Sequence, residues 1–229
     1  MFFKLLLSHL LGDFIFQSKT WVDHKERKKL KSGYLYGHFA IHAAIVQLLI
    51  QSWVITLIIV VTHAAIDIFK LLVQKSTNRR KWFFLDQFLH LVVIGVLVGW
   101  IKGFEFGTIT AWTSENLLII TSIIFLTIPT SIVIKNAISR WDPDPDEDSP
   151  DSLEQAGAYI GILERLFVFT FVMSGQWNAV GFLIAAKSVF RFGDLKETHD
   201  RKLTEYILIG TLMSVGIASI VGAVVRHLL

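Results

Sequence analysis

The chain has 229 residues, of which 53% are hydrophobic and 18% are charged, and its formal net charge is +3 at pH 7. With a mean hydropathy of +0.55, this composition excludes an ordinary water-soluble globular protein. The lack of cysteine excludes disulfides, thiolate metal sites and a cysteine nucleophile, and short basic runs between apolar blocks are more typical of a membrane protein than of one that binds nucleic acid.

Apolar stretches of membrane-spanning length recur along the chain. A helix needs about 20 apolar residues to cross the hydrocarbon core, and about eight stretches qualify, of which the first and seventh are short. We interpret the first as a retained helix rather than a signal peptide, because no small-residue cleavage site follows it. Pro129 is expected to kink the fifth, since it lacks a backbone N–H. The sequence therefore predicts an all-α polytopic membrane helix bundle, with spans at about 2–17, 34–51, 53–73, 82–101, 115–135, 156–174, 177–192 and 204–225.

The loops between these stretches predict their orientation. Lys and Arg near helix ends favour the cytoplasmic side, and they concentrate in alternate loops at 19–31, 75–81 and 196–202. The intervening loops carry few basic residues. Eight spans with both termini outside satisfy this pattern.

An acidic, proline-rich segment at 140–156 interrupts the series of spans. Its prolines and clustered carboxylates predict an extended, solvated cytoplasmic linker. Its Asp spacing lacks the glycine turn and distal Glu of a calcium loop. The predicted organisation is therefore a five-helix membrane part at 1–139, the linker, and a three-helix membrane part at 157–229.

Ionisable residues spaced by four recur inside the first four spans. Such i, i+4 pairs project from one face of a helix, and the predicted topology places all of them in one layer near the cytoplasmic face. Burying each ionisable group in the membrane costs about 2.5 to 3.5 kcal/mol, so a polar network or a bound cation must compensate. The pairs are His9 and Asp13, His38 and His42, His63 and Asp67, and Asp86 and His90.

Imidazole nitrogens and carboxylate oxygens are suitable ligands for first-row divalent metals. The pairs therefore predict a site for one or two divalent transition-metal ions, most simply zinc. Three ligands could hold one catalytic zinc while the remaining carboxylates orient the imidazole rings. A metal-free hydrogen-bonding network remains the alternative.

Polar residues in the C-terminal part suggest a second constellation, expected at about the same depth. Ammonium and guanidinium groups recognise anions such as phosphate well. The alternatives are ordinary positive-inside anchors and internal salt bridges between helices. The predicted anion- or substrate-binding residues are Glu164, Arg165, Lys187, Ser188, Arg191, Glu205 and Tyr206.

The motifs HLLGDF, IGILER, AAKSVFRF and EYILIGTL resemble, over nearly the entire chain, those of a family of bacterial inner-membrane proteins of unknown function. The resemblance implies a bacterial plasma membrane location and gives no reaction. The opening HxxxD and HxxxH pairs are also similar to those of membrane-bound metal-dependent hydrolases, although this chain lacks the His-Arg pair and Thr-His-Ser triplet of that group.

Three functions are compatible with these features. The first is a metal-dependent hydrolase acting on an amphiphilic or lipid-linked substrate, in which a bound metal lowers the pKa of water towards about 7. The second is a divalent-cation transporter, because paired HxxxD motifs also resemble the transport site of cation-diffusion exporters. The third is a structural or regulatory bundle stabilised by metal. The expected partners are the lipid bilayer and an anionic amphiphile, with no nucleic acid.

Overall fold

The computed structural model describes residues 1–102, 115–141, 151–191 and 198–229, and throughout this part of the chain the regular structure is helical. The predicted all-α fold is therefore confirmed. Short 3₁₀ turns join some of the helices, and a π-helical turn at Leu11–Ile15 follows the first. The helices are α1 (Phe2–Leu10), α2 (Lys19–Lys28), α3 (Gly33–Ile50), α4 (Trp53–Val73), α5 (Arg79–Lys102), α6 (Glu115–Leu126), α7 (Ile128–Ile138), α8 (Asp151–Met173), α9 (Trp177–Arg191) and α10 (Thr198–Leu228).

Several helical segments are long and apolar enough to cross a membrane. The two short predicted spans are not among them, because α1 has nine residues and α9 has 15, which correspond to about 14 and 22 Å at 1.5 Å per residue. The sixth predicted span, at 156–174 in α8, is not among them either. The structure thus supports a membrane protein, while the number of eight spans stays a prediction. The qualifying segments in the described part are Gly33–Ile50, Trp53–Val73, Ser76–Ile101 and Glu205–Leu228, with α6 and α7 as a fifth if that bent pair is one span.

The chain folds as two compact units, Met1–Thr121 and Ser122–Leu229, and their boundary lies inside α6. Residues 142–150 of the predicted linker lie outside the described part. α8 begins at Asp151, within the stretch predicted to be extended. The predicted division of the chain at residue 139 stays a prediction.

In the first unit, α3 and α4 form a tight helical hairpin. Gln51 adopts a left-handed conformation with φ of 58°, and its N–H donates to the carbonyl of Gln47 at 2.9 Å, which ends α3. The hydroxyl of Thr56 on α4 donates to the Gln47 side-chain oxygen at 2.9 Å. The two helices consequently run side by side, and α1 and α5 pack against them. The apolar core of this unit contains Leu5, Val46, Ile59, Ile94, Leu97 and Val98.

The first basic loop contains α2, a helix that the hydropathy pattern did not predict. Ser18 caps it by accepting the backbone N–H of Trp21 at 3.4 Å. The Trp21 ring stacks on Tyr34 with a centroid distance of 5.0 Å, which attaches α2 to α3. Just beyond α2, the ammonium of Lys29 donates to the carbonyl of Leu71 near the end of α4, at 2.6 Å. The polar helix is therefore fixed to the ends of α3 and α4.

The second unit is organised around α8 and α10, its most extensive helix pair. Gly222 allows their close approach, because a β-carbon there would lie 3.0 Å from Cβ of Val172. Preceding them, α6 and α7 meet at an angle of 42°. The predicted kink at Pro129 is confirmed, since the helix is interrupted at Thr127, two residues earlier.

Candidate metal centre

The π-helical turn after α1 positions the first carboxylate. It widens the helix by one residue, and within it Asp13 lies with Oδ1 2.9 Å from Nε2 of His42. Gly12 permits this approach, because a β-carbon there would lie 2.7 Å from Cδ2 of His42 and closer still to Nε2 and Cε1. The α3 imidazole therefore packs directly against the glycine of the turn.

The paired histidines of α3 lie on one face of that helix, as their spacing predicts, and both are 1% exposed. Besides the contact of His42, Nε2 of His38 lies 3.3 Å from Oδ1 of Asp13 and 3.0 Å from Nε2 of His63 on α4. Nε2 of His63 is 3.5 Å from the same Asp13 oxygen. Three imidazole nitrogens from two helices thus converge on one carboxylate oxygen.

These spacings match those of a coordination sphere. Ligand atoms about 2.0 to 2.1 Å from a tetrahedral ion are separated from one another by about 3.3 Å. The four contacts among Asp13, His38, His42 and His63 range from 2.9 to 3.5 Å. The side chains present therefore fit a first-row divalent cation in both chemistry and spacing.

The pairs on α4 and α5 complete the cluster. Asp67 lies 3.4 Å from His38 and 3.8 Å from His90, and the rings of His63 and His90 have centroids 4.2 Å apart. His9 lies beside His90 at a centroid distance of 5.1 Å. All eight predicted residues therefore meet in one buried cluster. Ligand atoms within 4.8 Å of one another form three overlapping sets: His9, Asp13, His63 and His90; Asp13, His38, His42 and His63; and Asp67, Asp86 and His90.

Some buried atoms of the cluster have no hydrogen-bonding partner in the described part of the chain. Both ring nitrogens of His90 and Oδ1 of Asp86 are in this position, since their contacts at 3.8 and 3.9 Å are too long for hydrogen bonds. An unpaired buried polar atom costs about 1 to 3 kcal/mol. These atoms are therefore available to a bound cation.

Four further polar residues surround the cluster, and the spacing of the sequence did not identify them. The amide nitrogen of Gln87 donates to Asp13 at 3.3 Å and to Asp86 at 3.1 Å, and its oxygen faces His9 at 3.1 Å. The other three residues are Gln17, Lys25 and Lys70.

A small cavity of about 20 Å³ adjoins the cluster, lined by His9, His42, His63, His90, Ser8 and Thr62 together with aliphatic residues. A cavity must have a volume of at least about 10 to 15 Å³ to hold one water molecule. The cavity therefore has room for about one water and none for a larger substrate group.

In the second unit, Arg165 is 3% exposed, and its guanidinium lies at the break between α6 and α7. Pro129 cannot donate to the carbonyl of Phe125, which instead accepts the hydroxyl of Thr130 at 2.6 Å. The Arg165 guanidinium donates to the next two carbonyls, those of Leu126 at 2.6 Å and Thr127 at 3.0 Å. It also donates to the hydroxyls of Ser131 at 2.5 Å and Ser214 at 3.2 Å. Arg165 thus satisfies the backbone at the break between α6 and α7.

Three other residues of the predicted anion site, Glu164, Lys187 and Ser188, contact helix neighbours within the second unit. Lys187 on α9 donates to Glu164 on α8 at 2.6 Å, so these charges pair across helices. Ser188 donates to the carbonyl of Ile184 in its own helix at 2.9 Å. The Arg191 side chain lies outside the described part, and Glu205 and Tyr206 lie in α10. Anion binding by these residues, and their place beside the His/Asp cluster, stay predictions.

The helices of membrane-spanning length and the buried histidine–aspartate cluster define this chain as a helical membrane protein with a candidate metal centre. The family model DUF3307, a protein of unknown function, matches residues 1–120, and the chain belongs to this family. The matched residues include the whole cluster, whereas the motifs IGILER, AAKSVFRF and EYILIGTL lie beyond them. Neither the curated proteins nor the solved structures include a significant match to the chain.

Proposed function

We propose that this protein of the bacterial plasma membrane binds one or two divalent transition-metal ions, most simply zinc, in its His/Asp cluster. The observation that carries the proposal is the convergence of ligand atoms of Asp13, His38, His42 and His63, of which three imidazole nitrogens lie 2.9 to 3.5 Å from one Asp13 oxygen. The unpartnered nitrogens of His90 support a second ion on the side of His9. Asp13 belongs to the ligand sets of both proposed ions, with Oδ1 facing His42 and Oδ2 facing His9.

The chemistry that this site supports best is metal-dependent hydrolysis of an amphiphilic or lipid-linked substrate. A divalent cation supplies a Lewis acid and lowers the pKa of a water molecule towards about 7. The cavity beside His9, His42 and His63 has room for that water. An imidazole or carboxylate of the cluster could accept its proton, while Gln87 holds Asp13 and Asp86 in place.

One observation favours a second candidate, a non-catalytic centre that stabilises the bundle. The cavity holds about one water and the ligands are buried, so a substrate can reach them only after the helices move. A metal at this position would cross-link α1, α3, α4 and α5 and contribute to folding. Both candidate functions require the bound metal, but only the hydrolase would convert a substrate.

Elemental analysis of protein purified without chelators tests the shared part. We expect at least one stoichiometric divalent ion in the wild type. His42→Ala and Asp67→Asn should weaken metal binding about 10- to 100-fold, as the loss of a ligand or its partner typically does. His24→Ala is the matched control, because His24 lies outside the cluster and contacts Ser32. Protein without stoichiometric metal would refute the proposal.

Turnover separates the two candidates. Metal-loaded protein should release product from amphiphilic phosphomonoesters or amides, whereas protein stripped of metal by a chelator should release none. If metal raises the unfolding temperature but the loaded protein hydrolyses none of these compounds, the stabilising role is correct.

A further inference from the structure

We propose that Lys25 and Lys70 neutralise the cluster in the absence of metal and bind a phosphate-type anion when metal is present. This inference rests on the proposed metal binding and names the chemical class of the second ligand. It derives from Lys25 on α2 and Lys70 near the end of α4, whose ammonium groups contact carboxylates of the cluster.

Lys25 is the first of these residues. It belongs to the polar helix α2, yet it is only 6% exposed, which is rare for a lysine without a strong partner. Its ammonium lies 3.6 Å from Oδ2 of Asp67 and donates to the side-chain oxygen of Gln17. The neighbouring Lys28 is exposed, so the burial of Lys25 reflects its specific position against the cluster.

Lys70 is the second. It lies one helical turn after Asp67 on α4, and its ammonium donates to Oδ2 of Asp86 on α5 at 2.8 Å. The carboxylates that the two lysines contact, Asp67 and Asp86, form a candidate ligand set with His90. Both ammonium groups therefore occupy positions next to metal ligands.

The charges of the cluster change sign when metal binds. With neutral histidines, which metal binding requires, the carboxylates of Asp13, Asp67 and Asp86 and the ammonium groups of Lys25 and Lys70 leave one net negative charge. One divalent ion converts this to one positive charge, and a second ion to three. Unbalanced charge is costly in a buried site. Metal loading therefore leaves a net positive charge that an anion bound at the two lysines would offset.

Phosphate is the anion that these donors suit. Ammonium groups donate charge-assisted hydrogen bonds to phosphate oxygens, and the amide of Gln87 lies between Asp13 and Asp86 as a further donor. Lys70 is 24% exposed at its side chain, whereas Lys25 is 8% exposed. A ligand can thus approach from the side of Lys70, and the same chemistry fits free phosphate and a lipid phosphate headgroup.

Zinc titration of the purified full-length protein against a chromophoric chelator, with and without inorganic phosphate, tests this inference. We expect phosphate to tighten zinc binding by the wild type about fivefold or more. Lys25→Met and Lys70→Met should each bind zinc about tenfold more tightly without phosphate, because a competing and repelling cation is lost. The same variants should lose the phosphate effect. Lys28→Met is the matched control and should behave as the wild type does.

The outcomes separate the sources of phosphate and the two proposals. A gain with inorganic phosphate supports a free anion, and a gain only with micelles that contain phosphatidic acid supports a lipid headgroup. If the wild type binds zinc but neither lysine variant binds it more tightly, or neither phosphate source changes its affinity, this inference is wrong and the metal site stands. No zinc binding by the wild type overturns both. Lys70→Gln, at the more exposed position, serves if Lys25→Met elutes as aggregate in size-exclusion chromatography.

Discussion

Replacement of Gly12 by alanine tests the geometry of the cluster without touching any ligand. A β-carbon at Gly12 would lie 2.7 Å from Cδ2 of His42 and closer to two other ring atoms, where carbon atoms normally stay about 3.5 to 4.0 Å apart. The His42 ring must therefore move by about 1 Å. That movement disrupts its 2.9 Å contact with Asp13.

The expected cost combines two opposing effects. Overpacking of a buried site typically costs about 1 to 3 kcal/mol, and the better helix propensity of alanine returns up to about 1 kcal/mol. We expect Gly12→Ala to lower the free energy of unfolding by about 1 to 2 kcal/mol and zinc affinity about 10- to 100-fold. Thermal unfolding in detergent and chelator competition measure these quantities.

Gly95→Ala is the matched control, because a β-carbon at Gly95 meets nothing within 4 Å, and it should leave zinc affinity unchanged. A double variant identifies the cause more directly. In a His42→Ala background the clash is gone, so Gly12→Ala should no longer destabilise the protein. Wild-type zinc affinity and stability in Gly12→Ala would refute the assigned packing of His42 against the turn.

Further predictions concern the second unit and the topology. Arg165→Met leaves the carbonyl of Leu126 without its donor and should cost about 1 to 3 kcal/mol, seen as a lower unfolding temperature with unchanged metal content. An unfolding temperature equal to that of the wild type would contradict this role. A double-mutant cycle with Glu164→Gln and Lys187→Met should give a coupling of about 1 kcal/mol, and additive effects would show that the pair contributes nothing. In the proposed topology, a cysteine at exposed Ser76 should resist an impermeant external thiol reagent, whereas one at exposed Ser174 should react; labelling of Ser76→Cys in intact cells would refute the orientation.

The eight cluster residues could be found from the sequence because the spacing of four places each pair on one face of its helix. An i, i+4 pair occupies one face of any α-helix, and the predicted alternating orientation places the four pairs at one depth. For example, the spacing of His63 and Asp67 is enough to predict that both side chains lie on the same face of α4, without any knowledge of how the helices pack. The sequence did not indicate the three overlapping ligand sets, because these depend on how the helices are rotated against each other.

Other features of the site lie beyond such rules. Lys25 belongs to a run of basic residues, and nothing in its spacing distinguishes it from exposed Lys28. The π-helical turn also lacks a periodic signal, and Gly12, an isolated glycine in an apolar run, was the one available indication. Of the predicted spans, α1 and α9 are helices as expected, but with nine and 15 residues they are shorter than the about 20 residues that cross a bilayer.

The Arg165 contacts have a consequence for biogenesis. A carbonyl left without an N–H donor at a helix break needs another donor in hydrocarbon, and the carbonyl of Leu126 receives its donor from Arg165 on α8. Arg165 in turn would be costly alone in lipid. Neither the α6–α7 pair nor α8 is therefore stable in the bilayer by itself during synthesis. We therefore expect the bent pair α6–α7 and α8 to leave the insertion machinery together, after the ribosome has completed α8.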